Sequence, residues 1–204
     1  MRPPHEPEHP LHITLRVLPH VPNLRAKRAF KAVKHALRLA NSKGRHRHGF
    51  RITHYSVQSN HLHLIAEASD ERKLSRGMQG LAVRIARRLN IAVGRRGTVF
   101  ESRYHARPLL TPREVRIALA YVLLNERRHL AANLGLTLPA WYFDPCSSAL
   151  EFDGWRPYHG LSPPPSAPRD VTARPQSRLL RSLWRRHGLI KPDEVPGISK
   201  PPSN

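Results

Sequence analysis

The sequence holds one cysteine, Cys146, in 204 residues. A lone thiol excludes an internal disulfide and makes a thiolate metal centre implausible. Aromatic residues are scarce at 6%, which argues against an extended base-stacking platform. No run of 18 or more apolar residues occurs, so no segment reads as a membrane-spanning helix. The opening stretch MRPPHEPEHP has no apolar core of the kind a secretory signal needs, and the expectation is a cytoplasmic, nucleoid-associated protein. Negative charge is the largest shortage. Fourteen Asp and Glu face 35 Lys and Arg, a formal net charge of +21. An excess of that size points to a polyanionic partner, nucleic acid first. Most of the cations are arginine, whose planar fork suits phosphate.

The remaining pattern is that of one α+β domain. LHITLRV, residues 11–17, alternates, with His12, Thr14 and Arg16 on one side and Ile13, Leu15 and Val17 on the other. Leu24, Phe30, Val33, Ala36, Leu37 and Ala40 then recur at helical spacing, with a stop expected over Asn41 to Gly44. FRITHYSVQ (50–58) and HLHLIAEA (61–68) read as a hairpin turning at Ser59 and Asn60. A long helix follows, capped by Ser69 or Asp70, with Leu74, Met78, Leu81, Ile85 and Leu89 as its apolar stripe. A Gly/Arg loop leads into a strand near residues 104–110. Thr111 and Pro112 open a last helix expected to run to Gly135. The order β-α-β-β-α-β predicts the ferredoxin-like split βαβ plan: an antiparallel sheet with two helices on one face and a free face for a site. An extra helix follows, and the domain is expected to span residues 1–140. Residues 141–204 read as a Pro-rich basic tail, since ten of the twenty prolines lie after Arg156. A short helix near 177–187, carrying Trp184, interrupts the tail.

Within QSNHLHLIAEA (58–68), His61 and His63 fall on one face of a strand whose other face carries Leu62 and Leu64. Their Cα atoms stand roughly 6.5 Å apart at the strand rise of about 3.3 Å per residue, a gap one ion can bridge. With fourteen histidines in the chain, one such pair is expected by chance, and RHRHG supplies another at His46 and His48, in a loop. Two imidazoles are also too few ligands for a metal. In ALAYVLLNERRH, Tyr121 and Asn125 are four residues apart on one helix. An amide at Asn125 can complete a His-His-Asn set; spacing alone favours a core tyrosine and a surface asparagine.

The paired histidines around an apolar residue, followed by a helix with Tyr-x-x-x-Asn, resemble the single-tyrosine HUH transposases, and most closely the REP-associated tyrosine transposases. HYSVQSNHLHLIAEA, LSRGMQGL, GTVFESRYHARPLL and YVLLN carry the likeness in that order, over roughly residues 9–135. The sequence departs from the family after Asn125, where ERRHLAANLG replaces a proline and a VRAG-like turn. The resemblance implies a single-stranded DNA endonuclease and strand transferase acting on hairpin-forming DNA. It implies Tyr121 as nucleophile, giving a 5′-phosphotyrosine, and His61, His63 and Asn125 as ligands of Mg²⁺ or Mn²⁺. Arg84, Arg87, Arg88, Arg95, Arg96 and Arg103 are the expected DNA contacts, and the Trp184 helix either binds DNA or regulates access. A monomer and a homodimer both remain open, as does any general base. The alternatives are a domesticated relative that grips structured nucleic acid without cutting, and an RRM-like RNA binder. The second is disfavoured by histidines where stacking aromatics belong.

Overall fold

The computed structural model describes residues 6–42, 49–160 and 162–197. Four strands and two long helices appear in the expected order: β1 (Leu11–Arg16), α1 (Lys27–Ala40), β2 (Phe50–Val57), β3 (His61–Ala68), α2 (Glu71–Ala92) and β4 (His105–Pro108). The strands form one antiparallel sheet in the order β2-β3-β1-β4. This is the split βαβ arrangement. Asp70 caps α2 by accepting from the Lys73 amide. The Gly44 end of the first helix and the His46/His48 loop lie outside the described residues.

Alternation sorts the sheet into two faces. Ile13, Leu15, Leu62 and Leu64 pack with α1 and α2 in the larger core. His12, Thr14, His61, His63 and Ile65 take the opposite face. An irregularity between Ile52 and His54 slips the register of β2 by one residue, so His54 pairs with Ile65 and Ser56 with His63. The extra residue, Thr53, is buried and donates its hydroxyl to the Ile65 carbonyl at 2.9 Å. That bulge brings His54 and Ser56 to the histidine face while Ile52 and Tyr55 both stay in the helix-side core.

α3 (Pro112–Leu123) lies on the histidine face, packed on β2 and β3. Thr111 and Glu114 form a reciprocal capping box at its start. The helix does not run on to Gly135. It breaks at Leu124, which has ψ 19°, and α4 (Asn125–Leu134) starts anew. Val122, Leu123, Leu124 and Asn125 are all buried. Four consecutive residues of a straight helix span about 300° of arc, and the break lets all four turn inward. Arg127, also buried, fixes the next segment by donating to the carbonyls of Leu138, Pro139 and Ala140.

The histidine face is not wholly free. Residues beyond 141 fold back over it, where Phe152, Trp155, Leu180, Trp184 and Ile190 share a second core with α3. Arg25 makes a two-point bond to Asp144 at 2.9 Å each, and a further ion pair with Glu126 at 3.2 Å. Glu67 accepts from the amides of Gln176 and Ser177. The helix expected near 177–187 is a single turn, α5 (Arg178–Arg181), continued as a 3-10 turn over Leu183–His187.

Candidate active site

The site grows out of two neighbouring strands, β1 and β3. Cross-strand partners share a face, so pairing of Thr14 and Arg16 with His63 and His61 sets four polar side chains side by side. His61 and His63 approach to 2.9 Å between their Nε2 atoms. His63 Nδ1 lies 3.3 Å from both Thr14 Oγ1 and His12 Nε2. His61 Nδ1 lies 2.7 Å from Asn60 Oδ1.

These contacts restrict where the protons sit. Asn60 Oδ1 can only accept, so His61 carries its proton on Nδ1 and presents a bare lone pair at Nε2. His63 has two choices. With its proton on Nε2 it donates to His61 and accepts at Nδ1 from the Thr14 hydroxyl or from His12. With its proton on Nδ1 it donates to Thr14 or His12, and two bare Nε2 lone pairs then face each other. The second arrangement requires a cation between them. Two nitrogens at about 2.1 Å from one ion and at right angles to each other are about 3 Å apart, which the observed 2.9 Å matches.

Burial keeps these rings neutral. His63 is brought down to about 3 by burial first, then by His61 and His12. His61 is lowered to about 4 by burial, then by Arg16 and His129. His12 falls to about 4 through burial, Arg107 and His105. Neutral imidazoles are metal-ligating imidazoles.

Tyr121 of α3 comes down on this cluster. Its ring centre lies 5.0 Å from that of His63 and 5.6 Å from that of His12, edge-on to each. The Arg128 guanidinium stands over the same ring at 5.4 Å. Asn125 is 0% exposed, and neither its Oδ1 nor its Nδ2 has a hydrogen-bond partner. It is therefore no surface asparagine, and no hydrogen bond ties it to either imidazole. A buried amide left unpaired costs about 1–3 kcal/mol, so a partner supplied from outside the chain would relieve it. No group of three His, Cys, Asp or Glu fit to hold a metal occurs among the described residues.

The structure joins Tyr121, His61 and His63. It does not join the six arginines to them. Arg84, Arg87 and Arg88 lie on α2, across the sheet from the imidazoles. Arg88 stands 3.4 Å from His35 of α1. Arg95 braces its own loop, bonding Asn90 and the Thr98 carbonyl. Arg96 and Arg103 are exposed, Arg103 at a groove beside Met78 and Tyr104. The sequence reading missed His12, Thr14, Arg128 and His129 as neighbours of the pair. The alternation of LHITLRV held the signal for the first two, but only the strand register shows that they face His63.

An antiparallel sheet bearing an imidazole pair under the tyrosine of a following helix makes this an α+β domain of the split βαβ plan. The chain belongs to the family of IS200-like transposases, whose model matches residues 13–122. Among solved structures, it is similar to that of a REP-associated tyrosine transposase bound to a REP hairpin, at 14% identity and a TM-score of 0.53. That likeness is one of fold, and it covers 87% of this chain and 98% of the other. No curated protein matches the chain. Family membership makes it a transposase-type, DNA-cleaving enzyme. Among the described residues no helix is long and apolar enough to cross a membrane.

Proposed function

We propose that the protein cuts and rejoins single-stranded, hairpin-forming DNA through a phosphotyrosine on Tyr121. The observation that carries this reading is the seating of the Tyr121 ring against His63, whose Nε2 is 2.9 Å from that of His61. A hairpin is the DNA held by the similar solved structure, which supports a folded single strand as substrate.

The phenol oxygen of Tyr121 attacks the scissile phosphorus. The new bond is O–P, and the bond to the 3′ oxygen breaks, leaving a 5′-phosphotyrosine and a free 3′-OH. The covalent ester keeps the energy of the phosphodiester, so rejoining by a 3′-OH needs no nucleotide cofactor. The phenol must shed its proton on the way, because the phosphotyrosine ester keeps only its oxygen. Arg128, above the ring, favours the developing phenolate. His61, His63 and Asn125 would hold a divalent ion, Mg²⁺ or Mn²⁺. When bound, such an ion supplies Lewis-acid polarisation of the phosphate and a template for in-line attack. With the His63 proton on Nδ1, Thr14 Oγ1 or His12 Nε2 accepts its hydrogen bond, which leaves Nε2 free for that role.

The test is a covalent adduct. Wild-type protein incubated with single-stranded hairpin DNA and Mn²⁺ or Mg²⁺ should give a protein–DNA band on a denaturing gel. Tyr121→Phe should bind and give none, and His61→Ala/His63→Ala should lose ion-dependent cleavage. Binding without an adduct across a broad hairpin panel would assign the non-cleaving role instead.

A further inference from the structure

The tail builds a charged cavity on the histidine face. It is bounded by β2, α3 and residues 152–153 and 169–185, and has a volume of about 190 Å³. Its walls are apolar where Leu119, Phe152 and Trp184 meet, and its rim carries Arg169, Arg174, Arg181 and Arg185. Trp184 is 1% exposed and stacked on Phe152, so the floor is fixed by packing.

The acidic groups nearby are fewer than the arginines. Asp153 accepts from Arg185 at 3.0 Å. Glu151 is buried and engaged by the amides of Val171 and Thr172 and by the Thr172 hydroxyl. Arg169 spends one donor on Thr172 Oγ1 at 3.0 Å. Arg174 and Arg181 are exposed, and neither makes an ion pair among the described residues. Four like charges thus converge on one concavity against two carboxylates, one of which is already committed to the backbone. Burial lowers Arg169; Asp153 and Glu151 act against that lowering, and Arg174 adds a smaller lowering as a like charge. A fold that holds repelling guanidinium groups around a cavity is relieved when an anion enters it. Guanidinium forks match phosphate oxygens in pairs.

We propose that this pocket binds backbone phosphates of the nucleic-acid substrate, at a place separate from Tyr121. Leu119 lines the cavity and Tyr121 faces the imidazoles, two residues and about 200° further round α3. The helix therefore stands between the two places. A strand gripped here is one flanking the cleaved segment, and the tail becomes part of the substrate surface. The inference rests on the chain acting on nucleic acid, and not on phosphotyrosine chemistry.

The experiment is equilibrium binding of a single-stranded hairpin DNA over a salt series, without added divalent ion. The proteins are the full-length chain, Arg174→Gln/Arg181→Gln, and Arg178→Gln/Arg186→Gln. The last pair removes equal charge from exposed positions of the same segment that do not line the pocket. The pocket variant should bind severalfold more weakly. Its slope of log K against log salt should shrink by about 1.4, the value for two lost single-strand phosphate contacts. The control pair should change both much less. Equal losses in the two variants, or none in the pocket variant, would overturn the proposal. Inorganic phosphate should compete for the pocket in wild type. Competition by phosphate with DNA affinity unaltered in the pocket variant would make this a free-phosphate site and sink the nucleic-acid assignment. Failure of the adduct assay with this binding pattern intact would remove the catalytic reading and leave the pocket standing.

Discussion

Thr14 shows how much one hydroxyl can decide. A hydroxyl both donates and accepts, so Thr14 serves either tautomer of His63 at the same 3.3 Å. Valine has the same shape and neither capacity. Thr14→Val should leave the fold intact and weaken Mn²⁺ binding by about tenfold, the usual cost of losing an outer partner of a ligating histidine. Manganese titration followed by electron paramagnetic resonance reads this directly. Unchanged affinity would show that Thr14 does not orient the ring. At this scale the sequence disclosed His61, His63 and Tyr121. It could not disclose His12, which is 51 residues from its partner, because only strand pairing makes them neighbours.

Elements decide what the residues meet. Alternation read straight through FRITHYSVQ puts Ile52 and Tyr55 on opposite faces; the bulge at Thr53 puts them on the same one. The break at Leu124 likewise ends the single helix that the spacing of Tyr121 and Asn125 implied. Neither irregularity has a glycine or proline to announce it, because both answer demands of packing. Arg25 joins elements far apart in sequence. It bonds the Val57 carbonyl at 3.0 Å and Asp144 twice, with Asp144 only 3% exposed. Removing one partner of such a pair strands a buried charge, at a cost of about 3 kcal/mol. Arg25→Met should lower the urea midpoint accordingly and make the segment after residue 141 susceptible to limited proteolysis. A variant as stable and as resistant as wild type would contradict this role.

The whole molecule responds to acid. His54 is fully buried and drops to about 3, through burial first and Arg169 second. Between pH 6.5 and about 3 the unfolded chain holds a proton there that the folded chain does not. Stability therefore rises with pH across that window and is lost on acidification, by about 1.4 kcal/mol per pH unit for each full proton. His12, His61 and His63 shift in the same direction. Urea midpoints measured from pH 7 to 4.5 should fall with a slope steeper than one proton, and His54→Gln should make that slope shallower. A pH-independent midpoint would show that these rings protonate freely in the fold.

Order and periodicity alone determined the split βαβ plan, the strand bearing the imidazole pair and the helix bearing the tyrosine. Those features depend on neighbours within a few residues, where alternation and helical repeat are written out. The tertiary structure decided the rest: that His12 and Thr14 complete the cluster, that α2 carries its arginines away from it, and that the proline-rich tail packs Trp184 beneath a ring of guanidinium groups. The first of these depends on contacts between residues 49 and 51 apart in the chain, which no local pattern encodes.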